Sequence, residues 1–420
     1  RKDPEKVKHG IAKKNSDPSL VDEFLKLDEE WRKAVSEVEA MRVLQKKASE
    51  ERNAEEGKRL KGEQKLLEEK AREAEMKRDE VWMKIPNLPF DDVPTGKDES
   101  ENVVVRKVGD PTTFDFEAKD HVALGEKLGL IDTEKASKIS GARFNYLFGD
   151  AARLEFALVN HVFDILTDAE IIHSIAERIE SGYSQKPFIP VVPPAMIRPE
   201  VLRCMARLDT GQEDERYYLP KDDLYLIGSA EHTLGPLHMD EVLDEKEAPL
   251  RYVGFSPAFR RESGSYGRDV RGILRVHQFD KLEMESFCAP EDSRKEQDFI
   301  VAVQEYLVQS LGIPYQVASV CTGDMGGPDA RQIDIECWMP GQGRYRETHT
   351  SDLMTDYQSR RLGTKIKRKD GKSEFAHMND ATAFAIGRIL IAIMENFQTK
   401  EGKIKIPKVL QKYLGKEEIG

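Results

Sequence analysis

The sequence predicts an α+β protein in which an antiparallel two-helix coiled-coil arm precedes a body built on an antiparallel sheet flanked by helices. Three observations predict it: an apolar seam of heptad spacing before residue 90, a proline-punctuated break after it, and a body where helical and alternating patterns succeed one another.

The arm comes first. From Leu20 the apolar positions step by four and three through Phe24, Leu27, Trp31, Ala34, Val38 and Met41, break at Gln45 and resume at Ala48. A second run keeps the rhythm at Leu60, Leu67, Ala71, Ala74, Val81 and Ile85, with Gln64 and Arg78 interrupting it. Residues 53–62 between them hold Gly57, Gly62 and few large apolar groups, which predicts the turn there. Asp17 and Pro18 suit the N-cap and first turn of the first helix, and Pro86, Pro89 and Pro94 stop the second. Two helices of about 35 residues make an arm on the order of 50 Å long. Residues 1–90 are read as the arm, 91–105 as a linker and 106–420 as the body. Periodicity alone also allows a dimerisation coil or spacer.

In the body, Phe156 to Leu166 fits an amphipathic helix, and Phe188 to Pro194 an edge or interface strand, because prolines interrupt sheet hydrogen bonding. Leu224–Ile227, Tyr252–Phe255, Gly272–Val276, Phe279–Met284 and Arg331–Glu336 are strand candidates, and several alternate as a one-sided antiparallel sheet does. Neither G-x-x-x-x-G-K-[ST] nor G-x-G-x-x-G occurs, so the P-loop and Rossmann readings lose their support. No apolar run approaches the roughly 20 residues of a membrane span, and no charged n-region with an apolar h-region opens the chain, so a soluble, cytoplasmic protein is expected. Cys204, Cys288, Cys321 and Cys337 form no C-x-x-C pair and are read as reduced thiols. The net charge of −12 disfavours broad nucleic-acid binding and excludes no local basic stripe. Such a stripe runs from Arg42 to Arg78, with Lys46, Lys47, Arg52, Lys58, Arg59, Lys61, Lys65, Lys70, Arg72 and Lys77 interleaved with Glu.

Two stretches carry chemistry. Phe259-Arg260-Arg261-Glu262 follows a strand and leads into a loop with Gly264, Gly267 and Gly272 and with Arg268, Arg271 and Arg275, so five arginines meet on one hairpin. A guanidinium fork suits a triphosphate because it makes paired charge-assisted hydrogen bonds. From residue types alone, a solvated charged hairpin is the other reading. The second stretch, His377 to Arg388, leads into an apolar helix through Ile393, and its small residues permit either close approach to a ligand or packing.

With Gly228-Ser229-Ala230-Glu231-His232 and the linker Ile85-Pro86-Asn87-Leu88-Pro89, these stretches resemble the seryl-tRNA synthetases, class II aminoacyl-tRNA synthetases with an N-terminal helical arm. The likeness runs from about residue 2 to the C-terminus, including the Glu347-to-Arg361 segment, in matching order. It implies a six- or seven-stranded antiparallel sheet, a homodimer near Pro193 or Pro194, and a two-step reaction of L-serine with ATP and then serine tRNA. The tRNA would be held by its variable arm and acceptor end, selenocysteine tRNA would also be charged, and neither DNA nor a membrane would be a partner. By the same resemblance Arg260 holds the α-phosphate and the serine carboxylate, Glu262 reads the adenine amino group, Phe279 stacks on adenine and Arg388 covers its other face. Arg260, Glu262 and Arg388 are thus the implied catalytic set. Arg261, Val276, Thr348 and His349 are carried over to the ATP wall, His349 and His232 being read as structural. Glu347 and Thr350 are the implied Mg²⁺ ligands, and Ser229, Ala230, Glu231, Glu283 and Thr382 join Arg260 around serine.

Three departures stand out: Ser229 where Thr is usual, Thr382 where Ser is usual, and Asn379-Asp380-Ala381 where Leu-Asn-Gly is usual. The hydroxyls survive the swaps. Two alternatives stand beside the synthetase. An amino-acid:carrier-protein ligase usually lacks the arm, which this chain keeps. An inactive RNA-binding paralogue would have lost ATP residues that are present here.

Overall fold

The computed structural model describes residues 1–51, 53–208, 213–263 and 271–420; Arg52 of the basic stripe and Gly264, Gly267 and Arg268 of the arginine loop lie outside them. Three helices open the chain: α1 (Pro4–Lys13), α2 (Ser19–Glu50) and α3 (Ala54–Lys84). The short α1 lacks a long apolar rhythm and was not expected. Asp3 caps it, accepting the Lys6 N–H at 3.0 Å, with Pro4 in its first turn. Asp17 accepts the Ser19 N–H at 2.8 Å as α2 begins.

The turn between α2 and α3 is shorter than the glycines predict. Asn53 caps α3 by accepting the Glu56 N–H at 3.2 Å, so Gly57 and Gly62 fall inside the helix. A Cβ at either would meet nothing within 4 Å, so no contact demands them; the cap and the long seam outweigh a propensity cost of about 1 kcal/mol each. Ala34, Val38, Ala48, Leu60 and Val81 are buried along the seam. Asp28 is buried there too, ion-paired to Arg1 at 2.5 Å and Arg32 at 3.1 Å. On the surface, Arg42, Arg59 and Lys70 are tied to Glu68, Glu56 and Glu37. Lys46, Lys47, Lys58, Lys61, Lys65, Arg72 and Lys77 are exposed without an ion pair among the described residues.

The arm base is pinned to the body by polar contacts. Lys14 donates to the carbonyls of Gly326, Gly327 and Asp329 at 2.6, 3.0 and 2.9 Å. Asn87 donates to those of Pro328 and Met354, each at 2.8 Å. Arg361 lies 4.6 Å over the Trp82 ring.

The body is organised by one eight-stranded sheet of β1 (Val103–Val108), β2 (Ile189–Val191), β3 (Leu250–Phe259), β4 (Gln278–Cys288), β5 (Tyr315–Ser319), β6 (Arg331–Met339), β7 (Arg344–Thr355) and β8 (His377–Ala385), in the order β1-β5-β6-β7-β8-β4-β3-β2. Every neighbour is antiparallel except β2, which pairs parallel with β3 at the edge. The sheet exceeds the six or seven expected strands because β1 and β2 extend its two edges. Two segments differ from the sequence expectation. Gly272–Val276 forms turns and bends rather than a strand, and His377–Ala385, the stretch that leads into the helix, is itself a strand. One face packs under α4 (Asp150–Leu166), α5 (Ser293–Leu311) and α6 (Ile386–Asn396), with Leu158, Phe299, Leu307, Ile389 and Ile393 in the core they share with Leu282 and Met284. The opposite face carries a smaller apolar cluster that includes Tyr252, Phe287 and Met378, and beyond it polar side chains line a cavity.

At the β2 edge, Arg251 and Glu296 form a wholly buried pair with contacts of 2.7 and 2.8 Å, and the guanidinium lies 3.9 Å over Phe299. Burial would push the Glu296 carboxyl up, and Arg251, Tyr183 and Ser286 overcome this and hold it below its usual range. Arg251 also donates to the Ser184 and Lys186 carbonyls at 3.0 and 2.8 Å, fixing the approach to β2. Arg251→Met leaves a buried carboxylate without its counter-charge and is expected to cost about 3–5 kcal/mol, read from the urea unfolding midpoint.

Among the described residues no helix is long and apolar enough to cross a membrane. All four cysteines are free thiols.

Candidate active site

Strand periodicity builds the site. On β4, Phe279, Lys281 and Glu283 line a cavity of about 540 Å³ while Leu282 and Met284 enter the core. On β8, Asp380 and Thr382 face the same cavity and Ala381 and Ala383 face the core. Pairing slips at Ala383, which is an extra residue opposite Leu282 and Glu283. Beyond that bulge the parity reverses, so Phe384 packs in the core and Ala385 lines the cavity. Thr348 is a second bulge, on β7, between Glu347 and the buried His349. At the start of α6, Gly387 lets the Ile273 carbonyl approach to 3.2 Å from where a Cβ would sit. The next residue, Arg388, donates to the Glu347 carbonyl at 2.9 Å and to its Oε1 at 2.8 Å.

The hairpin after β3 supplies the opposing wall. Glu262 has φ +52°, a left-handed conformation that costs a non-glycine residue on the order of 1–3 kcal/mol. Arg143 donates to its carbonyl at 3.2 Å and Arg275 lies 3.7 Å from its carboxylate, which stays in the cavity wall. Arg260 donates to the Gly228 carbonyl at 3.0 Å and sits 5.3 Å over the Phe279 ring. Beside it, burial and the charges of Arg260 and Arg207 push the Arg216 pKa down to about 10. An anion would relieve this crowding of cations.

The other end of the cavity is acidic. Glu231, Glu283 and Asp380 bring carboxylate oxygens within 4.8 Å of one another. Lys281 lies 2.5 Å from Glu283 and donates to Ser229 at 3.2 Å. Arg207 lies 2.6 Å from Glu231 and 3.4 Å from Asp380. Burial would raise Glu231, but Arg207, then His232, Lys281 and Arg260, hold it at about 2. Glu283 and Asp380 are pushed up by burial, Asp380 further by Glu231 and Asp352.

Of the residues expected from sequence, Glu231, Arg260, Glu262, Val276, Phe279, Glu283, Glu347, Thr348, Thr350, Thr382 and Arg388 line this cavity. Ser229 is buried behind Glu283, donating to it at 3.2 Å. Ala230 packs with Met205, Leu234 and Met378. Arg261 turns outward over Tyr217, 4.9 Å from its centroid. His349 is wholly buried against Phe384 and Thr348, where burial drives its pKa down to about 3, so it supports the wall from behind. Of the hairpin arginines, Arg260 and Arg275 line the cavity, and the exposed Arg271 does not.

Known proteins bear on this geometry. A family model described as the seryl-tRNA synthetase N-terminal domain matches residues 1–89, and one described as the tRNA synthetase class II core domain (G, H, P, S and T) matches residues 216–397. A serine–tRNA ligase from Thermotoga neapolitana is 41% identical over 434 residues, spanning 100% of this chain and 98% of the relative. The chain belongs to the seryl-tRNA synthetase family. A crystal structure of seryl-tRNA synthetase from Pyrococcus horikoshii complexed with ATP matches with a TM-score of 0.88 at 37% identity, covering 100% of this chain and 98% of that one. The cytoplasmic serine-tRNA ligase from Naegleria fowleri, in complex with AMP, gives 0.84 at 32% identity, covering 99% and 95%. Helical arm and class II core are therefore shared along the whole chain.

Sequence reasoning missed several charged groups of the seryl-tRNA synthetase cavity: Arg207, Arg216, Lys281 and Asp352 all line it. For Lys281 a signal was present, since it alternates with Phe279 and Glu283. Arg207 and Arg216 sit in a connection without local periodicity and reach the cavity only through the tertiary fold.

Proposed function

We propose that the chain activates L-serine with ATP, giving seryl-adenylate and pyrophosphate, and passes the seryl group to the 3′-terminal ribose of serine tRNA. One observation carries this reading: a single cavity has guanidinium groups of Arg216, Arg260, Arg275 and Arg388 on its walls and the carboxylates of Glu231, Glu283 and Asp380 at its other end. A triphosphate matches the first and an α-ammonium the second. Serine's carboxylate attacks the α-phosphorus and pyrophosphate leaves with the bonding pair. A ribose hydroxyl then attacks the seryl carbonyl and AMP leaves. No protein nucleophile is needed, so the residues work by positioning and charge. Arg260 steadies the α-phosphate, Glu262 reads the adenine amino group, Phe279 stacks on the ring and Arg388 closes over it.

Mg²⁺ suits the oxygen donors at Glu347 and Thr350, 3.4 Å apart, with the buried Asp334 opposite Thr350 in register. When bound, the ion would neutralise phosphate charge. The unpaired cations of the arm meet the phosphates of the tRNA variable arm, a recognition of shape more than of bases. The working unit is a homodimer joined along residues 189–194, because Ile189 and Val192 at this edge are 51% and 83% exposed. The free thiols accord with the reducing cytoplasm.

Exchange of labelled pyrophosphate into ATP is expected with serine and not with threonine. Alanine should be disfavoured by about 10⁴-fold or more, since a site that hydrogen-bonds a hydroxyl rejects the analogue lacking it. No exchange with serine overturns the reading, and exchange without tRNA acylation identifies a carrier ligase instead.

A further inference from the structure

We propose that Arg207 is a positioning residue that clamps the acidic end of the cavity into a receptor for the substrate's ammonium group, and thereby sets the affinity for serine. This deepens the serine reading above and rests on it.

Arg207 follows the helix Pro199–Cys204, and the chain is redirected at Ala206, whose φ is +52°. Its amide donates to the Leu202 carbonyl at 3.2 Å, which fixes the root of the side chain. The guanidinium meets carboxylates from three separate elements: Glu231 at 2.6 Å, Asp380 on β8 at 3.4 Å and Asp352 on β7 at 3.9 Å. Asp352 and Asp380 are direct cross-strand partners, so they face each other with like charge unless a cation intervenes. Asp329 packs close by. A Cβ on Gly326 would strike its carboxylate and lie 3.7 Å from the Arg207 Nη1.

Charge counting defines the role. Three carboxylates, Glu231, Glu283 and Asp380, converge within 4.8 Å. Lys281 is engaged with Glu283 at 2.5 Å, and Arg207 serves the other two. With Asp352 counted as well, two resident cations face four carboxylates, so this end of the cavity stays acidic and suits an α-ammonium. Without Arg207, Glu231, Asp352 and Asp380 would be buried anions in mutual repulsion, and the receptor would neutralise by taking up protons or spread apart. Arg207 itself need not touch substrate to act in this way. An arginine suits the task because its planar fork addresses several carboxylates at once, which a lysine does only partly.

The test is steady-state exchange kinetics on the full chain for wild type, Arg207→Met, Arg207→Lys, Asp380→Asn and the Arg207→Met/Asp380→Asn double variant. Arg207→Met is expected to raise the KM for serine about 30-fold, as for the loss of a charged hydrogen-bonding partner, with the KM for ATP within about twofold. Arg207→Lys should recover part of the loss. The double variant should be impaired less than the product of the two singles, because the carboxylate left unpaired by one change is removed by the other. A serine KM within about threefold of wild type in Arg207→Met overturns the proposal. So does a parallel rise in both KM values in Arg207→Met and Arg207→Lys, which marks a general scaffold. Absence of serine-dependent exchange in the wild type would instead defeat the functional reading on which the proposal rests.

Discussion

Arg260→Ala is expected to lower serine-dependent pyrophosphate exchange by about 10²- to 10³-fold, the range for removing one preorganised donor from developing charge. The guanidinium is held from two directions, by the Gly228 carbonyl at 3.0 Å and by the Phe279 face at 5.3 Å, so it is aimed before ligand arrives. Lysine should restore little, because a point charge cannot bridge two acceptors in a plane. The effect should fall on kcat as well as on KM, since the contact proposed for Arg260 would strengthen as the α-phosphate becomes more negative. Full activity in Arg260→Ala would show that the hairpin has another task.

The second large effect separates the arm from the chemistry. Excising residues 35–75 and closing the gap with a short glycine turn should abolish acylation of serine tRNA while leaving exchange within about twofold. The cut is placed above Trp31 and below Arg78, whose guanidinium lies 3.9 Å over the Trp31 ring, so this contact at the arm base survives. The anchors at Lys14, Asn87 and Trp82 also remain. What is lost is the exposed lysine surface, including Lys46, Lys58, Lys61 and Lys65. Equal loss of both activities would mean that the arm supports the catalytic body itself.

How far the fold and cavity were legible in sequence follows from the range of the forces involved. The arm could be read because a heptad repeat is a local, cumulative signal, and Ala34, Val38, Leu60 and Val81 are buried where it places them. Its turn lies ahead of the two glycines that predict it, because Asn53 caps the helix before both. β8 shows no steady alternation because a bulge breaks it near its end, and the side-chain pattern of Gly272–Val276 predicts a strand where the chain forms turns and bends. Residues lying in recognisable motifs, such as Arg260, Glu262 and Arg388, do converge on the cavity. Arg207 had no such marker, since its importance lies in three carboxylates distant from it in the chain.

The slip at Ala383 has a further consequence for how this strand tolerates change. A ribbon whose two sides serve different purposes works as a ruler that counts in twos, and one added unit exchanges inner for outer from that point onward. Here the exchange sends a bulky ring, Phe384, into the oily interior and leaves only the small Ala385 at the cavity wall. Losing that single unit would turn the ring toward the cavity and shift the entry of Gly387 and Arg388. The length of β8 is therefore under tighter restraint than the identity of most residues in it.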